Sequence, residues 1–226
     1  MMLANRSSDA PRVALVHALA ESVGPINTAM ARDWPRAQRM NLLDDSLSAD
    51  LARSGRLGPD MFGRFAALAD YAVSTGADAI LFTCSAFGPC IEAVACRHAP
   101  LPVLKPNEAM IVEAIRTGRR VGLLASFGPT LESMPAEFPP QVPLELELAD
   151  GALAALRAGN VDGHDTLVAD AARRLVGRGC EVIALAQFSL ARARPAVQRA
   201  VGTVPVLTTV DSAVAALKDR ISRGQG

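Results

Sequence analysis

The sequence repeats itself. Displaced by 103 residues, the stretch from Arg64 to Pro89 lies on the stretch from Leu167 to Arg192 without a gap. The turn Thr75-Gly76-Ala77-Asp78 meets Arg178-Gly179-Cys180-Glu181, and the apolar triplet Ile80-Leu81-Phe82 meets Ile183-Ala184-Leu185. Further on, Pro102-Val103-Leu104 meets Pro205-Val206-Leu207, and Glu108-Ala109 meets Asp211-Ser212. Upstream, Arg12-Val13 resembles Arg120-Val121 at an offset of 108. Identities are few, but most apolar positions fall on apolar positions and the order of elements is kept. Two copies of one α/β unit, related by a pseudo-two-fold axis, are the simplest reading.

Within each copy, short apolar runs alternate with helical patterns. Strands are expected at Arg12–His17, Arg39–Leu43, Asp78–Thr83, Leu101–Leu104, Arg120–Ala125, Leu144–Leu148, Glu181–Ala186 and Val204–Leu207. Continuous apolar runs, as opposed to alternating ones, suit parallel strands covered on both faces. Met61–Ser74 and Thr166–Gly177 carry helical periodicity and end near a glycine. Strand–helix alternation predicts an α/β fold of two similar doubly wound parallel-sheet lobes. The first lobe is expected over residues 1–105 plus 210–226 and the second over 106–209, with the C-terminal helix Asp211–Ser222 returning to the first.

Composition fits this fold and narrows the partners. The chain has 226 residues, half of them hydrophobic but only 4% aromatic, so its core is aliphatic. Lys plus Arg and Asp plus Glu stand equal at 23 each, which leaves no electrostatic footprint for nucleic acid or an anionic membrane. No apolar run approaches the roughly 18 residues of a membrane helix, and Met1–Arg12 lacks the apolar segment of a signal peptide. Four cysteines without a disulfide pattern fit a cytoplasmic protein with reduced thiols. No Cys/His cluster has metal-ligand spacing, and neither GxxxxGK[ST] nor GxGxxG occurs. Neither a metal nor a nucleotide cofactor is expected.

Parallel sheets bind ligands beyond the carboxyl ends of their strands. Two lobes face to face would aim both edges at one cleft. The segments entering it are then His17 to Asn27, Thr83-Cys84-Ser85, Ser126 to Thr130, Gln187-Phe188-Ser189 and Thr208-Thr209. Cys84 follows a buried strand and precedes the expected helix Gly88–Arg97. A thiol at a helix N-terminus feels the positive end of the dipole, so its pKa is expected to fall from about 8.5 toward 7 or lower. Such a group serves as acid, base or nucleophile. The alternative, a structural cysteine, fits the strand-end position less well. Cys90 and Cys96 sit inside the following helix as packing residues, and Cys180 lies at the far edge of its strand. His17 is expected either to touch substrate or to make a local hydrogen bond. His98 and His164 are expected on the surface. Ser126, Gly128 and Thr130 suit a carboxylate at a helix start and equally suit an ordinary cap. Asn27 allows either reading, and Asp44 reads as a framework residue.

Through Phe82-Thr83-Cys84-Ser85, the two-lobed repeat and the Pro-Val-Leu elements, the chain resembles the aspartate/glutamate racemase superfamily. That group includes hydantoin racemases, maleate isomerases and arylmalonate decarboxylases. The segment Asn41-Leu42-Leu43-Asp44-Asp45-Ser46-Leu47 looks like the hydantoin-racemase branch, and the resemblance runs from about Arg12 to Leu217. It implies cofactor-free chemistry at the carbon next to a carboxylate or carbonyl of a small, amino-acid-like substrate. In the racemases, two cysteines flank that carbon, one from each half. Relatives of this fold often form dimers or larger assemblies.

Here the pattern departs from the two-thiol arrangement. The repeat places Gln187 opposite Cys84, and Phe188 and Ser189 supply no thiol either. Glutamine hydrogen-bonds a carboxylate but exchanges no proton at neutral pH. Three functions remain. The first is a racemase or isomerase-like enzyme with Cys84 as acid/base or nucleophile, and with His17, Asn27, Thr83, Ser85, Ser126, Gly128, Thr130, Gln187, Phe188, Ser189 and Thr208 binding substrate. The second is a malonate-type decarboxylase that protonates one face. The third is a binding protein that has lost catalysis with its second thiol.

Overall fold

A computed structural model describes residues 10–224. Eight strands form two separate four-stranded sheets, and every pairing is parallel. In the first lobe, β1 (Arg12–His17), β2 (Gln38–Leu43), β3 (Ala79–Phe82) and β4 (Val103–Leu104) lie in the order β2-β1-β3-β4. In the second, β5 (Val121–Ala125), β6 (Leu144–Leu148), β7 (Val182–Leu185) and β8 (Val206–Thr208) repeat it as β6-β5-β7-β8.

The registers carry the repeat residue by residue. Val13 pairs with Ala79 in the first sheet and Val121 with Val182 in the second. Ile80 pairs with Val103, and Ile183 with Val206. Each pair in the second sheet is its first-sheet counterpart displaced by the offsets of the sequence repeat. The chain is two copies of one strand order, joined in series.

Helices cover both faces of each sheet, which is why the central strands are apolar throughout. In the first lobe these are α1 (Val23–Asp33), α2 (Ser46–Ser54), α3 (Pro59–Ser74) and α4 (Gly88–Arg97). Then follow α5 (Glu108–Arg116), α6 (Gly128–Ser133), α7 (Ala152–Arg157), α8 (Val161–Gly177), α9 (Arg194–Val201) and α10 (Thr209–Gly224). Val13, Leu15, Ala79 and Leu81 face one side of the first sheet, where Val210, Ala213, Val214 and Leu217 of α10 join Ile26 and Met30 of α1. The C-terminal helix therefore packs on the sheet farthest from it in sequence.

The copies are not identical in packing. Gly122 of β5 occupies the place of Ala14 in β1. A Cβ there would lie 3.0 Å from Leu175 Cδ1 and 3.1 Å from Leu175 Cβ. The close approach of α8 to the second sheet thus requires the glycine. His164 departs from the expected surface position: it is fully buried, with Nδ1 2.7 Å from Asp165 Oδ1. The reason is helical spacing. His164, Val168, Ala172 and Leu175 form one buried stripe of α8. His98 is half-buried.

Candidate active site in the seam between the lobes

Each sheet ends its central strand in the same way, with an extended residue followed by a 3₁₀ turn. Cys84 (φ −126°, ψ 120°) leads into Ser85–Phe87, and Gln187 (φ −139°, ψ 146°) leads into Phe188–Ala193. Both side chains line one small cavity in the seam between the lobes. Thr83 and Ser85 flank Cys84 on its wall, and Ala186, Phe188 and Ser189 flank Gln187. Thr130 of α6 and Phe127 close one side; Leu19, Ser22 and Pro106 complete the rest. The free volume is only about 10 Å³, room for about one water molecule.

Cys84 is the sole titratable side chain on this wall. The other eleven lining residues carry hydroxyl, amide or hydrocarbon groups. Its thiol is not activated in the sense the sequence suggested. Burial pushes its pKa up, against the backbone N–H of Ala86 and the hydroxyl of Ser48, which act downward. The physical reason is twofold. The turn at Cys84 is a 3₁₀ turn, so α4 begins only at Gly88 and its N-terminus is removed from the sulfur. The enclosure also costs a thiolate more solvation than two hydrogen bonds restore. In this closed arrangement Cys84 is a protonated thiol.

Gln187 is held through its carbonyl. Its Oε1 accepts from the backbone N–H of Ser126 at 2.6 Å and from Ser126 Oγ at 3.1 Å. The amide nitrogen donates to no described residue, so two N–H groups remain for a ligand. Ser126 itself stands behind Gln187, off the cavity wall.

His17 lies outside the cavity and orients Thr83. It is fully buried, with Nδ1 2.9 Å from Thr83 Oγ1 and Nε2 2.9 Å from Asn41 Oδ1. A carbonyl oxygen only accepts, so Nε2 carries the ring proton and Nδ1 accepts the Thr83 hydroxyl. Burial lowers the His17 pKa, opposed by the Asn41 bond, and keeps the ring neutral. Thr83 then offers the cavity oxygen lone pairs and no hydrogen.

Several expected substrate contacts take other roles. Asn27 bonds Val23 O at 2.8 Å and Asn41 Oδ1 at 2.9 Å, fixing α1 to β2. Thr208 caps α10, accepting from Asp211 N at 3.0 Å and donating to Asp211 Oδ2 at 2.8 Å. Gly128 begins α6 outside the cavity wall. Asp44 is framework, as expected, accepting from Ser46 Oγ at 2.6 Å. Phe188 both lines the cavity and sits in the first lobe's core.

Leu19 and Ser22 fall within the segment His17 to Asn27 expected at the cleft, and the offset of 108 makes Leu19 the counterpart of Phe127. Sequence reasoning missed Pro106 and Ser48. Ser48 reaches the thiol from α2 and also donates to Ala18 O at 2.9 Å; nothing in its local sequence marks that. Among the described residues, no group of three His, Cys, Asp or Glu side chains gathers as metal ligands, and no helix is long and apolar enough to cross a membrane.

The sequence profile of the Asp/Glu/Hydantoin racemase family matches residues 25–217. The chain belongs to that family. It is therefore a member of a family of isomerases, and the two-sheet architecture is that of its solved relatives. An allantoin racemase from Klebsiella pneumoniae superposes with a TM-score of 0.72 at 16% identity, covering 95% of this chain and 89% of the other. An aspartate racemase from Picrophilus torridus gives 0.72 at 12% identity, covering 94% of each chain. A glutamate racemase from Francisella tularensis, solved with D-glutamate, gives 0.71 at 11% identity, covering 97% and 83%. No curated protein matches the chain by sequence.

Proposed function

We propose that this member of the racemase family catalyses cofactor-independent proton transfer at the carbon next to a carboxylate or carbonyl of a small substrate, as a racemase or isomerase. The observation that carries the reading is that Cys84 is the one titratable group on the wall of the interlobe cavity. Substrate entry replaces enclosing protein with a polar ligand and lowers the burial penalty on the thiolate. The thiol proton passes to water as the site opens, and the Cys84 thiolate then takes the α-hydrogen as a proton. The C–H electron pair moves onto the adjacent carbonyl oxygen, giving a planar enediolate-like anion and a neutral thiol. The amide N–H groups of Gln187 donate to that oxygen, the kind of fixed dipole that stabilises developing charge. Thr83, with only lone pairs to offer, receives a substrate N–H. Returning the proton to the anion closes the cycle.

A second reading draws on Gln187 and on the protonated resting state of Cys84. A neutral thiol facing an amide is suited to delivering a proton to one face of a planar carbanion, as in decarboxylation of a malonate. Release of CO₂ from a disubstituted malonate would select that lyase.

The test of the main reading is α-hydrogen exchange in D₂O, followed by NMR across small amino acids, 2-substituted carboxylates and hydantoins. Wild type should exchange at least one of them, and Cys84→Ala should not. Exchange that survives in Cys84→Ala would remove Cys84 from the mechanism. Tight binding without any exchange would mark the chain as a binding protein.

A further inference from the structure

The cavity that holds Cys84 is too small for any substrate. About 10 Å³ compares with roughly 300–1,000 Å³ for ordinary ligand sites, so a wall has to move. Two larger pockets adjoin the seam, and they differ in how they meet the cavity. One, of about 840 Å³, lies outside the Leu19–Ser22 and Phe188–Arg192 turns and shares no lining residue with the cavity. On that side the lobes are tied by an ion pair, Arg157 Nε to Glu21 Oε1 at 2.8 Å. The other, of about 360 Å³, is lined by Leu51, Ala52 and Ala86 from the first lobe and by Phe127, Pro129, Glu132 and Ser133 from the second. Phe127 lines both this pocket and the cavity. Ser85 and Ala86, and Pro129 and Thr130, are chain neighbours that fall on the two sides of the same partition.

We propose that Phe127 is the movable wall of the active site, and that the pocket behind it receives an apolar substituent of the substrate. This rests on the reading of Cys84 as the reacting group. A rotation of one half-buried ring joins the cavity to a preformed space of ligand size. Parting the lobes would instead break the seam and the Glu21–Arg157 pair. Phe127 is the extended residue before α6 (φ −133°, ψ 115°), and its ring is only half-buried. The pocket's side chains are hydrocarbon except for the Ser133 hydroxyl and the Glu132 carboxylate, its one charged group. An apolar substituent is matched there; one ending in a second carboxylate is repelled. Phe127 is on this account a specificity-determining residue.

Labelling of Cys84 by N-phenylmaleimide tests this without turnover. Cys96, expected to pack inside its helix but exposed on α4, unlike buried Cys90, serves as the internal standard, and peptide mass spectrometry reads both sites. Phe127→Ala should raise the Cys84-to-Cys96 labelling ratio about tenfold or more. Ala52→Phe, which fills the pocket from its exposed side, should lower it at least threefold. In wild type, 4-methylpentanoate should protect Cys84 at least fivefold, and glutarate less than twofold. A ratio within twofold of wild type in both variants would overturn the moving wall. Equal protection by the two acids would overturn the apolar subsite. Labelling that follows Phe127 in a protein with no α-hydrogen exchange would leave the wall standing and remove the catalytic reading; the converse would spare the reading and remove the wall.

Discussion

The two strand-to-turn junctions that meet in the seam share backbone geometry and differ in chemistry. Cys84 and Gln187 are both extended residues entering 3₁₀ turns at the ends of matched central strands. One carries a titratable group; the other carries an amide fixed by Ser126. Duplication fixes where side chains point, because register and strand order are properties of the backbone and the apolar pattern. It does not fix what those side chains do. The site is symmetric as a scaffold and one-sided as chemistry.

The largest expected effect contrasts these two positions directly. Cys84→Ala removes the proposed proton carrier and should lower turnover by about 10³-fold, within the range for loss of a general acid or base. Gln187→Ala removes the proposed hydrogen bonds to substrate and should cost only about 10-fold, near 1.4 kcal/mol. Steady-state kinetics on both variants check this, and equal losses would erase the asymmetry. A second contrast lies in packing. Gly122→Ala presses a methyl onto Leu175 and should destabilise the fold by about 1–3 kcal/mol in urea unfolding. An alanine is already accommodated at the equivalent Ala14. Third, Gln187→Cys supplies the missing thiol on the opposite face. Inversion relative to exchange should rise about tenfold by chiral chromatography, and an unchanged ratio would mean that position 187 does not face the reacting carbon.

The smallest effect concerns His17, which the second lobe does not duplicate, since its counterpart is Ala125. The fold holds His17 neutral with a pKa below 6.5. Below 6.5 the unfolded chain binds a proton that the folded chain refuses. This contribution to stability is present above pH 6.5 and is lost as pH falls toward the folded value, by at most about 1.4 kcal/mol per pH unit. Urea unfolding at pH 7.5, 6.5 and 5.5 should show the decline in wild type. His17→Gln should flatten it.

Much of this is legible in the sequence alone. The apolar runs give strands β1 and β6 to the residue. The repeat offsets reproduce the pairing of Val121 with Val182 from that of Val13 with Ala79. Covered parallel strands leave a strong, local apolar signal, and a repeat doubles it. Placing Cys84 and Gln187 on one cavity follows from the same symmetry. The thiol's upward shift was not legible, because it depends on how tightly remote segments enclose the sulfur, including Ser48 from α2. His17 and Thr208 illustrate the same limit. Each ends a strand at the right edge, yet short-range partners, Thr83 and Asn41 for one and Asp211 for the other, take up their polar atoms. Strand-end position selects candidates, and packing decides which of them face the cavity.

The central claim is the one-sidedness of the seam, and the course of deuterium in D₂O tests it most directly. With a single enantiomer of a substrate that the protein exchanges, deuterium should appear at the α-carbon of the recovered starting enantiomer before the opposite enantiomer accumulates. One thiol that takes and returns a proton on its own face requires that order. Deuterium confined to the inverted product, with none washed into the starting enantiomer, would show a second proton carrier facing Cys84 and would contradict the account.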